Sequence, residues 1–129
     1  MLNIENAEIF NYLLRLGFRP SNSGFGYLLE LIKMCIEGKE ITPLNQYGYV
    51  KLSSRHKKSV ATIDKSIQNS ISAAWMRGDI EYLYNQFGNT VSSEKGKPGN
   101  LQFVLQASEN IRLSYVGEAD KAEYEIIQM

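Results

Sequence analysis

SVATIDKSIQNSISAAWMRGDIEYLYNQFG, residues Ser59–Gly88, is the stretch on which the fold turns. Ser59 is a good N-cap, because its hydroxyl can accept from a backbone N–H that has no partner within the helix. Val60, Ile63, Ile67, Ile71 and Ala74 then follow 3/4 spacing as far as Arg77, where Gly78 supplies a C-terminal stop. At about 100° per residue, Ala61, Lys65, Gln68, Asn69 and Ser72 gather on the opposite side, a small or hydrogen-bonding face with one cation. Asp79 caps a short second helix through Ile80, Leu83, Tyr84 and Phe87, closed by Gly88.

Upstream, apolar spacing stays helical. Ile9, Tyr12, Leu13 and Leu16 form one stripe, stopped by Gly17 and Pro20. Phe25, Leu28, Leu29, Ile32 and Ile36 form another, ending at Gly38. That helix also carries Leu31, Met34 and Cys35 on a different side, which predicts the central, most buried element. Thr42 and Pro43 open a weaker helical stretch with Tyr49, Leu52 and His56 at i, i+3 and i+7; Gly48 costs it about 1 kcal/mol of propensity. Downstream, Asn89–Asn100 reads as a loop or wing by composition. A last helix starts near Asn100 and carries Phe103, Val104, Ala107, Ile111 and Leu113. After Tyr115 the chain is acidic and poorly periodic. The expectation is an all-α, six-helix domain over residues 1–115, containing a helix-turn-helix, and an acidic C-terminal appendage over 116–129.

Composition bounds the class. The 129 residues are 43% hydrophobic and 22% charged, which suits one soluble domain with its own core. Cys35 is the sole cysteine, so neither an intramolecular disulfide nor a cysteine zinc cluster is available. No apolar run approaches the ~20 residues of a membrane span, and MLNIENAEIF lacks the basic start of a signal peptide. A cytoplasmic protein is expected. The 14 basic and 14 acidic residues cancel, but unevenly. Residues 51–97 hold eight basic and four acidic residues, for +4, between a first fifty at −1 and a tail from 98 at −3. A basic middle between acidic ends forms a local footprint for an anionic partner, although a solvated helix end would look the same.

Catalysis finds little support. His56 is the only histidine, no H-E-x-x-H or paired-His spacing occurs, and no metal or other cofactor is expected. Cys35 lies among apolar neighbours with no adjacent cation to activate it. Gly24-Phe25-Gly26 has neither a preceding strand nor a Lys-Ser/Thr partner for phosphate. Trp75 reads as a core anchor. The reading is of a non-enzyme.

A helix, a Lys-rich turn and a long helix with a polar outward face is what a helix-turn-helix requires. Gln and Asn pair with adenine, Lys reaches the guanine O6/N7 edge, and Asp accepts from cytosine. Gln68, Asn69, Lys65 and Asp64 are the candidate base readers.

Four ordered motifs sharpen this. LGFRPSNSGFGYLLELI (Leu16–Ile32), AWMRGDIEYLYNQFGNTVS (Ala74–Ser92) and KGKPGNLQF (Lys95–Phe103) resemble the C-terminal DNA-binding effector domain of the stage zero sporulation protein A family. Gly24, Tyr27, Leu28, Glu30 and Ile32 match its G-Y-x-Y-L-R-E-A-I helix. Ala74, Trp75, Arg77, Gly78 and Ile80 match A-W-S-R-G-N-I-D. Phe87, Gly88, Thr90 and Val91 match F-G-Y-T-V; Lys97, Pro98, Asn100 and Phe103 match K-P-T-N-S-E-F. Arg112 and Leu113 match the closing R-L, so the register runs from about residue 9 to 115.

The resemblance implies six helices, binding of tandem promoter boxes in double-stranded DNA as a head-to-tail dimer, and contact with RNA polymerase. The family's recognition helix reads T-T-P-S-R-V-E-R-A-I-R-H; here the segment is KSVATIDKSIQN, Lys58–Asn69. Ile63 and Ile67 keep the scaffold, while Asp64, Lys65, Gln68 and Asn69 replace Glu, Arg, Arg and His. Lys for Arg loses the planar fork and Gln for Arg removes a charge, so a different box is expected. Arg55, Lys57 and Lys58 in the turn can restore phosphate affinity. Lys57, Lys58, Lys95, Lys97 and Asn100 are expected on phosphates; Ser59, Ala61 and Thr62, at the start of the helix, complete the DNA-binding set. Full-length relatives carry an N-terminal receiver, and this chain shows no pattern for one; a stand-alone regulator is expected over a piece of a longer protein. The rival expectation is an interaction module that kept the scaffold, lost DNA reading, and modulates a full-length relative or RNA polymerase.

Overall fold

The computed structural model describes residues 4–88 and 96–128, with side chains as far as Tyr115. Among the described residues six helices follow in order: α1 (Asn6–Leu16), α2 (Ser23–Ile36), α3 (Gly48–His56), α4 (Val60–Arg77), α5 (Ile80–Phe87) and α6 (Asn100–Gln128). No strand occurs among the described residues. The expected all-α, six-helix architecture is the observed one.

The apolar stripes become one core. Helix α2 packs on α1, α4 and α6, so its two apolar sides are both covered, as its pattern requires. Leu28, Leu31 and Ile32 of α2 and the Ile63–Ile67–Ile71 stripe of α4 are all fully buried in the same core, and the two helices pack on each other. At the other end, Phe87 of α5 stacks on Phe103 of α6 with centroids 4.9 Å apart, and Trp75 abuts both edge-on. Trp75 is therefore the anchor its position suggested. Among the described residues no helix is long and apolar enough to cross a membrane.

Two glycines set the closest approaches. A Cβ on Gly24 would lie 2.3 Å from both Ser66 O and Ser70 Oγ, so only glycine lets α2 cross α4 this tightly. The Gly24-Phe25-Gly26 fragment is thus a packing device. Gly78 ends α4 as expected, but in extended backbone (φ −74°, ψ 168°) rather than the left-handed form common at helix ends. Its need for glycine is spatial, since a Cβ there would lie 2.6 Å from Leu16 O and 2.8 Å from Leu83 Cδ1.

The third and sixth helices depart from expectation at their ends. α3 starts at Gly48, not at Thr42–Pro43, which form a cis peptide leading into a turn. Gly48 is buried against Leu31 and Ile41, so the residue that weakens helix propensity is the one that fits the chain onto α2. The backbone of α6 runs on without a break to Gln128, past the expected close near Tyr115. Local periodicity finds a helix by its apolar stripe, and the sequence after Tyr115 carries little of one.

Candidate nucleic-acid interface

α3, the turn Lys57-Lys58-Ser59 and α4 pack as a helix-turn-helix. Ser59 caps α4, its Oγ accepting from Thr62 N at 3.1 Å and donating to Thr62 Oγ1 at 2.9 Å. Both hydroxyls are therefore partly engaged in holding the helix start. Lys57 takes the left-handed conformation (φ 58°, ψ 41°), and its N–H donates to Ser53 O, closing α3. Ser53 Oγ then donates to Lys58 O at 2.6 Å, which stiffens the turn from the other side. Lys57 and Lys58 are exposed at the mouth of α4, beside the N–H groups that every helix start leaves unpaired.

Along α4, Ala61, Thr62, Asp64, Lys65, Gln68 and Asn69 are all exposed, so the polar face expected to read bases does face solvent. The side chains of Lys65, Gln68 and Asn69 form no hydrogen bond or ion pair with other described residues. Asp64 differs. Its Oδ1 accepts from Tyr49 Oη at 2.8 Å and from Asn100 Nδ2 at 3.0 Å. The same Asn100 amide also donates to the Asp64 carbonyl at 3.1 Å and to Tyr49 Oη at 3.0 Å. The amide expected on phosphate is thus bonded within the domain, to Asp64 of α4 and Tyr49 of α3.

Tyr49 is the residue that sequence reasoning missed. Its ring is buried in the core, and burial pushes its phenol well above the ordinary range, partly countered by the Asn100 hydrogen bond. It stays a hydrogen-bond donor at any physiological pH. The available signal was a tyrosine in an apolar stripe, since a buried phenol normally finds a polar partner.

The remaining cations divide. Arg55 Nη1 donates to Glu30 Oε1, while His56 Nε2 meets Glu30 Oε2; His56 also sits edge-on to Tyr27 at 5.2 Å. Arg55 remains more than half exposed, and such a surface pair is worth at most about 1 kcal/mol, so a phosphate can compete for it. Lys97 Nζ donates to Ser72 Oγ, laying the segment before α6 along the outer side of α4. Lys95 lies outside the described residues. Asp64, Gln68, Ile71 and the segment Lys97–Asn100 line a groove of about 460 Å³ along α4.

Elsewhere the chemistry is structural. A second groove of about 730 Å³ lies among α1, α5 and α6, with Tyr12, Gln86 and Asn110 bonded to one another on its wall. Among the described residues, no buried side-chain polar atom lacks a partner and no group of three or more His, Cys, Asp or Glu could hold a metal ion. Cys35 is a free thiol, half-buried on α2.

A family model described as sporulation initiation factor Spo0A C terminal matches residues 9–111. That span starts in α1, crosses the whole helix-turn-helix and ends in α6 at Ile111, a core residue. With most of the chain matched, it belongs to the Spo0A C-terminal family of DNA-binding effector domains.

Proposed function

We propose that this protein is a sequence-specific transcriptional regulator whose α4 enters the major groove of promoter boxes. The carrying observation is the exposed polar face of α4 directly after a turn of two lysines. Lys65, Gln68 and Asn69 are uncommitted and reach base edges, Asp64 supplies an acceptor, and Ala61 and Thr62 shape the contact at the helix start. Lys57, Lys58, Lys95 and Lys97 neutralise phosphates, with Arg55 available once it leaves Glu30. Head-to-tail binding on tandem boxes and contact with RNA polymerase belong to the same reading. The exposure of Met76 (88%), Ile80 (71%) and Tyr84 (71%) supports a protein partner.

Selection of bound sequences from a random DNA pool at two salt concentrations tests the proposal. An enriched box with steep salt dependence is expected, and Lys65→Ala with Gln68→Ala should abolish its preference at those base pairs. An unchanged box in the double variant would remove these residues from the reading. Weak binding without enrichment would favour the interaction module.

A further inference from the structure

We propose that Tyr49 and Asn100, outside the recognition helix, are positioning residues for base reading: they hold the Asp64 carboxylate so that its second oxygen is presented to a base amino group. The inference rests on the DNA reading above and names what gives Asp64 its direction.

Oδ1 of Asp64 is occupied by two donors, and neither donor can wander. The Tyr49 ring is 1% exposed, clamped in the core beneath α4. Asn100 is the first residue of α6, and it is tied to Asp64 twice, through the side chain and through the carbonyl. Oδ2 has no partner among the described residues and belongs to an exposed side chain one turn before Gln68. A carboxylate has about four acceptor sites, so this one keeps unused capacity after both donors are satisfied.

A negative charge on a DNA-facing helix is a liability. It repels phosphate wherever it swings and is useful only opposite a donor, such as the amino group of cytosine or adenine in the major groove. Held in one orientation, it accepts from the right base and leaves the wrong one facing an unpaired charge, which is how a repulsive element gives specificity. The holding also removes rotamer freedom before DNA arrives, so less is lost on binding. The donors come from two other elements, α3 and α6, which makes the alignment a property of the assembled domain.

The test uses the full chain and the box obtained by selection, with every base pair varied in turn. Asp64→Ala should relax preference at one base pair, by roughly tenfold. Tyr49→Phe keeps the buried ring and removes one donor; it should relax the same base pair severalfold and leave binding to unrelated DNA unchanged. Asn100→Ala should act at that base pair too, and Tyr49→Phe should add nothing there to Asp64→Ala. Full preference in both Tyr49→Phe and Asn100→Ala would overturn the proposal. So would uniform weakening on all sequences in step with a lower melting temperature, which is what a purely structural brace gives. If Asp64→Ala relaxes no position of a well-defined box, the positioning inference fails while DNA reading stands. If no box is selected at all, the DNA reading itself fails.

Discussion

Lys57 is the residue where stability and binding pull apart. A lysine at φ 58° bears a steric penalty of about 1–2 kcal/mol that glycine would not, because its Cβ crowds the adjoining carbonyl. Glycine gives part of this back through a more disordered unfolded chain. Lys57→Gly should therefore leave stability unchanged or raise it by up to about 1 kcal/mol, read as a higher midpoint in urea. It also removes an exposed cation from the turn. If that cation meets a phosphate, the plot of log affinity against log salt should flatten by about one unit, with the selected box unaltered. A variant that melts higher and binds less tightly would mean that the lysine is retained for DNA. Equal binding would strike Lys57 from the phosphate set. At this scale the sequence was readable where a residue acts alone. Lys65, Gln68 and Asn69 stand on the expected face because helical period places them there. Asp64 was placed on that face too, but its partners lie 15 and 36 residues away, and no spacing rule reaches across a tertiary contact.

The helices themselves were legible, because each buries a stripe that repeats with the helix period and most end at a glycine or a polar cap. What sequence could not show is how closely they approach. Gly24 and Gly26 make the point two residues apart on α2. Gly24 faces Ser66 and Ser70 of α4 with no room for a methyl group, whereas an added Cβ on Gly26 would meet nothing within 4 Å. The obstruction at Gly24 includes α4 backbone, which cannot rotate away. Gly24→Ala should push α2 off α4 and cost about 1–3 kcal/mol, in the range of other overpacked sites. Gly26→Ala should stabilise by about 1 kcal/mol, the usual difference in helix propensity. Urea unfolding of the two single variants measures both signs. Because Ser66 and Ser70 sit on the helix that carries the reading face, Gly24→Ala should also weaken specific DNA binding, while Gly26→Ala should not. Equal stability of the two would mean that the α2–α4 crossing is looser than its geometry.

Across the whole molecule, two buried tyrosines join segments that are remote in sequence. Tyr49 bonds to Asp64 and Asn100, while Tyr12 of α1 donates to Gln86 Oε1 and accepts from Asn110 of α6. Burial is the main force raising both phenols above their ordinary value of 10, with the Asn110 and Asn100 hydrogen bonds acting the other way. The linkage has one sign. Below pH 10 both folded and unfolded tyrosines keep their protons, so these groups give stability no pH dependence there. Above it the unfolded chain releases protons that the folded chain retains, and stability must fall as pH rises. Each tyrosine contributes up to about 1.4 kcal/mol of loss per pH unit in that window. The domain should therefore hold its urea midpoint from neutrality to about pH 10 and lose it steeply beyond. Tyr12→Phe and Tyr49→Phe should each be less stable at neutral pH, from the lost hydrogen bonds, yet less sensitive to alkali. A double variant with an alkaline slope as steep as the parent would mean that other groups drive the loss and that these phenols ionise freely in the folded chain.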